Sequence, residues 1–476
     1  MTAEASAAAA EARIVAPLGD RAFFGHPRGL AFILGTETGW AFGYFGLQMI
    51  LTLYMTQDLL KPGHVEHVLG FGAYRALLES VFGRLSPLAL ASQTFGLATG
   101  LIYAMPIVGG FLADRWIGQR RAVIAALLTL TAAHLLLIGE RTFLIALALM
   151  VLGTGLLKTS LIGQLGRLYA PDDDRRTRAF GLYLIALNVG SMTTPLIAGT
   201  LAEKFGWSLG LAAMALGIGL GTLCYLAGLR HMPADTRRPR ADAPRPRLRR
   251  ADRRVVVILL LMMALDGVFL GVYDQAFNVF PVWADAHVER HVLGFLVPVT
   301  WFTTLDGSLT IVGTAFAVRI WAWRTSRGGN ATDLRRVAIG FALAMLGFLV
   351  LALGASLAGP GKAPLAPEIL FFLCVDFSIP WIDTVILTMV SRDAPRSIAT
   401  TVLGAYYLAL AGGNFLTGWL GALADHMPIT AFWAMHAAIF AAVLLFLIVC
   451  GKALSRALSA SEEREDAVTN PVSLSV

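Results

Sequence analysis

HMPADTRRPRADAPRPRLRRADRR, residues 231–254, is the stretch from which the fold is read. Its proline, arginine and aspartate content rules out both a membrane span and a packed core element. The segments on either side are hydrophobic over lengths that no water-soluble core needs. The stretch therefore reads as a basic linker, residues 230–254, between two membrane bundles, held on the cytoplasmic side because Lys/Arg-rich loops stay there. Topology already explains arginines beside a membrane, so the linker predicts a tether and no nucleic-acid partner.

Composition agrees with that reading. Hydrophobic residues make up 57% of 476 positions and charged residues 14%, and the mean hydropathy is +0.68, values of a polytopic helical membrane protein. The formal charge of +7 comes largely from arginines in the linker and short loops and reports orientation in the bilayer. The three cysteines, Cys224, Cys374 and Cys450, sit inside apolar runs. They form neither a disulfide framework nor a metal-ligand spacing, and nothing else in the chain asks for a cofactor or metal. Residues 1–28 lack the basic start, apolar middle and cleavage site of a secretory signal and read as an uncleaved cytoplasmic tail.

Windows of about twenty apolar residues give six spans before the linker, at 29–56, 86–114, 120–139, 142–166, 177–202 and 208–229. Six more follow, at 255–283, 294–323, 333–357, 366–391, 396–423 and 429–451. The expected fold is an all-α polytopic protein of twelve transmembrane helices in two six-helix bundles, 29–229 and 255–451, with a tail at 452–476. Arg115, Arg120, Arg121, Arg167, Arg175, Arg176, Arg178, Arg319, Arg324, Arg327, Arg335, Arg336, Arg392 and Arg396 fall in alternate loops. That asymmetry puts both termini inside a cell membrane. The segment between Lys61 and Leu90 is amphipathic and interrupted by glycines, an outer loop with one short interfacial helix.

The halves resemble each other: Gly181-Leu-Tyr183-Leu-Ile-Ala-Leu-Asn188-Val-Gly190 can be laid on Gly404-Ala-Tyr406-Tyr-Leu-Ala-Leu-Ala411-Gly-Gly413. Parallel repeats of six helices predict a solute cavity near the bilayer midplane.

Pro106-Ile-Val-Gly109-Gly110-Phe-Leu-Ala-Asp114-Arg115-Trp-Ile-Gly118-Gln-Arg120-Arg121 resembles the loop motif between spans two and three of the major facilitator superfamily. Phe23-Phe-Gly-His26-Pro-Arg-Gly29, Gly153-x-Gly155-Leu-x-Lys158, Tyr183-Leu-Ile-Ala-Leu-Asn188-Val-Gly190-Ser191 and Pro195-Leu-Ile-x-Gly199 narrow the resemblance. Together they look like the proton-dependent oligopeptide transporter family, over residues 22 to 450. That resemblance implies inward proton movement driving uptake of di- and tripeptides or related solutes. The chain departs from the family at its first span, where Glu-x-x-Glu-Arg is usual: Glu37 stays, but Trp40 and Ala41 stand for the second Glu and the Arg, and Gln48 for a later Arg. In span ten the family's Glu falls on Ile379, with Asp376 and Asp383 on either side.

A charge in a span costs at least about 2.5–3.5 kcal/mol, so each is a functional candidate. The first bundle has two, Glu37 and Lys158, expected to pair across spans one and four as a gate. The second has Asp266, Asp274, Asp306, Asp376 and Asp383 with no deep cation, a proton-binding inventory. Asp274 takes the place of the family's acidic residue in span seven and ranks first, with Asp376 beside it. The resemblance puts Tyr44, Gln48, Tyr103, Lys158, Asn188, Asp306 and Tyr406 at the substrate. His134 and His436 match no family site and read as packing residues.

The sequence thus predicts a proton-coupled symporter of short peptides, working as a monomer in the lipid bilayer and not an enzyme. A carrier of cationic amines or drugs with altered or absent coupling stays open, since Ala41 and Gln48 supply no cation for a carboxylate. So does a non-transporting receptor on the same fold.

Overall fold

The computed structural model describes residues 20–170, 172–235, 250–328, 332–358, 361–395 and 397–469, with backbone alone for 250–252 and 458–469. Residues 236–249 of the basic linker, and the tails 1–19 and 470–476, lie outside the described residues. Twelve long helices make up most of the rest. In the first half they are α1 (Arg28–Tyr54), α3 (Pro87–Leu112), α4 (Gln119–Leu137), α5 (Phe143–Arg167), α6 (Arg175–Thr194) and α7 (Trp207–Ala227), with the short α2 (Phe71–Phe82) in between. In the second they are α8 (Arg250–Tyr273), α10 (Phe302–Ser326), α11 (Asp333–Leu357), α12 (Leu365–Asp393), α13 (Ala399–Gly421) and α14 (Ile429–Thr469), with the short α9 (Val279–His287). Nine of the described helices are long and apolar enough to cross a bilayer by length and composition. The short α2 exposes Leu77, Val81 and Phe82, the apolar face an interfacial helix presents to lipid.

The chain divides into two compact units. One is Met1–Ala241 with Val297–Thr304, the other Asp242–Leu296 with Leu305–Val476. In the first unit, α1 packs on α6 and α7, α4 on α5, and α3 on α5. The segment Val297–Thr304 is held there by Glu203, whose carboxylate accepts the backbone N–H groups of Val299 and Thr300, each at 2.8 Å, and the Thr300 hydroxyl at 2.7 Å. A negative charge at the start of a helix offsets its unpaired N–H groups. In the second unit, α11 packs on α12 and α14, and α8 on α13.

Several boundaries differ from the sequence reading, among them the start of α8 at Arg250, inside the stretch read as linker, and three have a local reason. The eighth span was expected from 294, but His291–Val292 and Phe295–Leu296 form a small hairpin and the helix starts at Phe302. Leu293 and Gly294 turn there with φ of +51° and +80°, the left-handed pair that a tight hairpin requires, so apolar composition loses to turn geometry. The seventh span breaks after Tyr273 into a tight turn, Asp274–Ala276. The last helix runs past 451 to Thr469, because Ala, Leu, Glu and Arg keep the backbone helical after the apolar run ends.

Glycines set how closely the helices approach. A Cβ on Gly413 of α13 would overlap the carbonyl oxygen of Gly267 on α8, whereas one on the adjacent Gly412 meets nothing within 4 Å. Gly413→Val should therefore separate α8 from α13, at a cost of about 1–3 kcal/mol or more, while Gly412→Val should behave as wild type. Thermal unfolding of both variants in detergent checks this; equal midpoints would show that the contact is slack.

Candidate functional site

The first unit holds one deep ion pair. Glu37 on α1 is fully buried, and the Lys158 ammonium on α5 donates to its Oε1 at 2.9 Å. The close approach of α1 to its neighbours is what buries Glu37: Gly39 lies against Gly217 and Gly221 of α7, and Gly43 against His134 of α4. Trp40, at the position where the family motif has its second Glu, has its ring centroid 3.8 Å from the same ammonium. The Tyr183 ring is 5.7 Å away, and Tyr44 stacks on Trp40 at 5.0 Å. A cation over an indole face is worth about 0.5–2 kcal/mol. The residue that breaks the motif is thus the wall on which Lys158 rests, and the remaining Glu37 oxygen, Oε2, is buried without a partner among the described residues.

The other residues expected at the substrate stand apart from this pair in different ways. Gln48 is buried in a narrow crevice with Tyr44, Thr99, Ile102 and Met150. Tyr103 is half-buried on α3. Asn188 uses its amide on the Leu184 carbonyl of its own helix, at 2.8 Å. In the loop motif, a Cβ on Gly110 would press on Thr159, and Gly118 takes a φ of +87°. Asp114 accepts from the Gln119 amide at 3.0 Å, and Arg115 lies over the Phe111 ring. The start of α4 is capped by a residue that sequence reading missed, Asp235, which accepts the Arg120 N–H at 2.6 Å.

The second unit gathers its carboxylates into two groups. In the first, the Tyr273 hydroxyl donates to Asp306 of α10 and lies 3.5 Å from Asp376 of α12, and those two carboxyls touch. Asp274 follows Tyr273 at the break in α8; it is buried, and Asp306 is the charge acting on it. The turn is locked by Gln275, whose amide donates to the Thr417 carbonyl at 2.8 Å. Pro380 has no N–H to return to the Asp376 carbonyl one turn earlier, which loosens α12 beside the group. In the second group, the Tyr406 hydroxyl donates to Asp383 at 2.8 Å and sits alongside Asp266, which is buried and meets no cation among the described residues. Tyr406 was expected at the substrate; the structure gives its hydroxyl to a carboxylate.

None of these five aspartates is ion-paired among the described residues. Carboxylates brought together away from water and away from cations keep protons, since the charged form is penalised both by lost hydration and by its neighbours. Sequence reading found the acids but missed Tyr273 as the hub that joins them. It also missed Glu368, fully buried in the first turn of α12 with neither oxygen partnered among the described residues, because an acid at that position reads as an ordinary helix start.

With the geometry in hand, comparison with known proteins places the fold. The model of the Major Facilitator Superfamily matches residues 39–418. The chain is 25% identical to the peptide transporter YePEPT of Yersinia enterocolitica, covering 90% of this chain and 96% of that one. It is 30% identical to a di-/tripeptide transporter of Lactococcus lactis, over 60% of this chain and 54% of the relative. Among solved structures, a peptide transporter of the POT family in complex with sulfate superposes with a TM-score of 0.81 at 22% identity, covering 94% and 98% of the two chains. A POT family transporter in complex with 5-aminolevulinic acid gives 0.78 at 17% identity, covering 94% and 99%.

Removing one member of a buried ion pair costs about 3–5 kcal/mol because it strands the other charge. Lys158→Met should lower the unfolding midpoint sharply, and adding Glu37→Gln should restore most of it without restoring transport. Thermal unfolding and solute exchange, measured on both variants, separate the pair's structural role from its functional one. Recovery of both together would make the pair mere glue.

Proposed function

The chain belongs to the Major Facilitator Superfamily, in its proton-dependent oligopeptide transporter branch, and on that premise we propose that it is a multi-pass secondary transporter carrying short peptides or peptide-like solutes in symport with protons. It is a transporter and not an enzyme. The observation that carries the proton half of this reading is the Tyr273, Asp306 and Asp376 contact with Asp274 beside it, three acids without a cation. Asp274 is the first acceptor, and Asp306 and Asp376 share a proton through the Tyr273 hydroxyl. The names of the relatives support the peptide half.

Glu37 and Lys158 act as the gating pair. Lys158 releases Glu37 when a solute carboxylate competes for the ammonium, and the aromatic wall of Trp40, Tyr44 and Tyr183 keeps the amine in place meanwhile. Gln48, Tyr103 and Asn188 belong to the solute-facing set. A proton moving inward adds the membrane potential to the pH gradient, about 2.3 kcal/mol per charge per 100 mV. Transport then proceeds by alternating access in a cell membrane, with a single copy of the chain and both termini in the cytoplasm.

One observation favours a second cargo. Ala41 and Gln48 offer no cation to a carboxylate, whereas five aspartates are available to an amine. Cationic amines or drugs are therefore the competing solute class, with altered or absent proton coupling.

In proteoliposomes with an inward pH gradient, an alanine dipeptide should accumulate, a protonophore should abolish accumulation, and Lys158→Ala should do the same. A dipeptide that fails to enter while an organic cation does would replace the first reading by the second.

A further inference from the structure

The repeat seen in the sequence becomes physical in the glycine contacts. A Cβ on Gly190 of α6 would strike the carbonyl oxygen of Thr38 on α1, and one on Gly413 of α13 would strike that of Gly267 on α8. Gly190 and Gly413 are already equivalent in the alignment of the halves, so Thr38 matches Gly267 and the preceding residues, Glu37 and Asp266, match each other. Tyr183 matches Tyr406 in the same alignment. Lys158 stands nine residues before Arg167, in the last turn of α5, as Asp383 stands nine before Arg392, in the last turn of α12.

The same corner is therefore built in each unit: an acid on the first helix of the repeat, a tyrosine on the fifth, and a third group on the fourth. In the first unit that group is Lys158, and the corner closes as an ion pair. In the second it is Asp383, and two carboxyls face one phenol. Asp266 is 1% exposed and Tyr406 3%, so water does not solvate the acid. The charges around it do not help either. From α12 comes Asp383 itself, and from α13 come Tyr406 and Tyr407. On α14, His436 uses Nδ1 on its own helix carbonyl and stacks on Phe348. Arg392, further along α12, is engaged by Asp333 and Asp393.

The geometry points to the corner of Asp266, Asp383 and Tyr406 as a second proton-binding site, in which one proton shared by the two carboxyls stands where the first unit has the ammonium of Lys158. This deepens the proton-coupled reading on which it rests. The site is stacked on the first group along the same two helices. Asp266 precedes Asp274 by eight residues on α8 and Asp383 follows Asp376 by seven on α12, which sets the groups about 10–12 Å apart. Both steps run toward the end of the unit that carries Arg253 and Arg392. A proton taken up around Asp274 then has a second station before it leaves at the arginine end. A sodium ion fits less well, since it wants about six oxygen ligands and this corner supplies two carboxyls and a phenol.

The test has one arm without transport and one with it. A hydrophobic carbodiimide reacts with protonated carboxyls, so purified wild-type protein in lipid should be labelled at Asp266 or Asp383, read by peptide mass spectrometry, with less label as pH rises. In the second arm, Asp383→Lys rebuilds the ion pair of the first unit and Asp383→Asn removes one acid. In proteoliposomes both should still exchange labelled alanine dipeptide. Neither should reach the roughly tenfold accumulation that one pH unit supports in wild type. Absence of label at both carboxyls at every pH, a wild-type pH profile in both variants, or accumulation driven by a sodium gradient would each overturn the site. If wild type moves no dipeptide at all, the peptide reading falls, and the labelling arm still decides whether the corner holds a proton.

Discussion

A carboxylate removed from water must find a cation or keep a proton, and the interior of this protein is arranged around the two answers. Glu37 takes the first, with Lys158 at 2.9 Å and an indole face behind the ammonium. For the aspartates of the second unit, which no basic side chain among the described residues pairs with, the proposed answer is the other one. The two answers differ in what they can do. An ion pair is broken only by a competing charge, such as the end of a solute, whereas a shared proton leaves whenever the site meets water of higher pH. A carrier that couples a solute to protons needs one of each.

Close helix packing is what makes the constraint bite. Gly39 and Gly43 draw α1 into its neighbours, and Gly267, Gly271 and Gly413 let α8 and α13 meet backbone to backbone. Bulkier residues there would open gaps for water, and hydrated carboxylates would lose the penalty that makes them hold protons. The glycines thus act on the chemistry without touching it. The break in α8 at Asp274 is a complementary device: the N–H groups of Phe277 and Asn278 bond back to the Asp274 carbonyl, and the Gln275 amide pins the turn to the Thr417 carbonyl, so irregular backbone is tolerated beside a buried acid.

The twelve-helix plan was legible in the sequence because membrane spans are written in length and apolarity, and a polar, basic stretch stands between the two sets of six. The pairing of Glu37 with Lys158 was legible for a related reason, since two lone opposite charges in one bundle have few alternatives. The hairpin at Leu293–Gly294 was not, because its apolar letters suit a span and only the backbone dihedrals give it away. Nor was the division of five aspartates into two groups. Spacing along α8 and α12 shows which acids share a helix, but which of them meet depends on the tyrosines of α8 and α13. Tyr406 shows the limit most clearly: the letters place a tyrosine on α13, and only the fold shows its hydroxyl on Asp383.

Trp40 ties these strands together. Where a family pattern has a second acid and an arginine, the chain has an indole and Ala41, so one anion and one cation are lost together and the net charge of the corner is unchanged. What changes is the stiffness of the remaining pair. An arginine's planar fork can bond two carboxylates at once, whereas the Lys158 ammonium, set on an indole face, donates to Glu37. With Glu37 bonded to Lys158, the proposed proton sites lie on the acids of the second unit. Those acids have the number, the burial and the bridging phenols to carry protons, which is why the loss of the motif and the surplus of aspartates are best understood as one exchange.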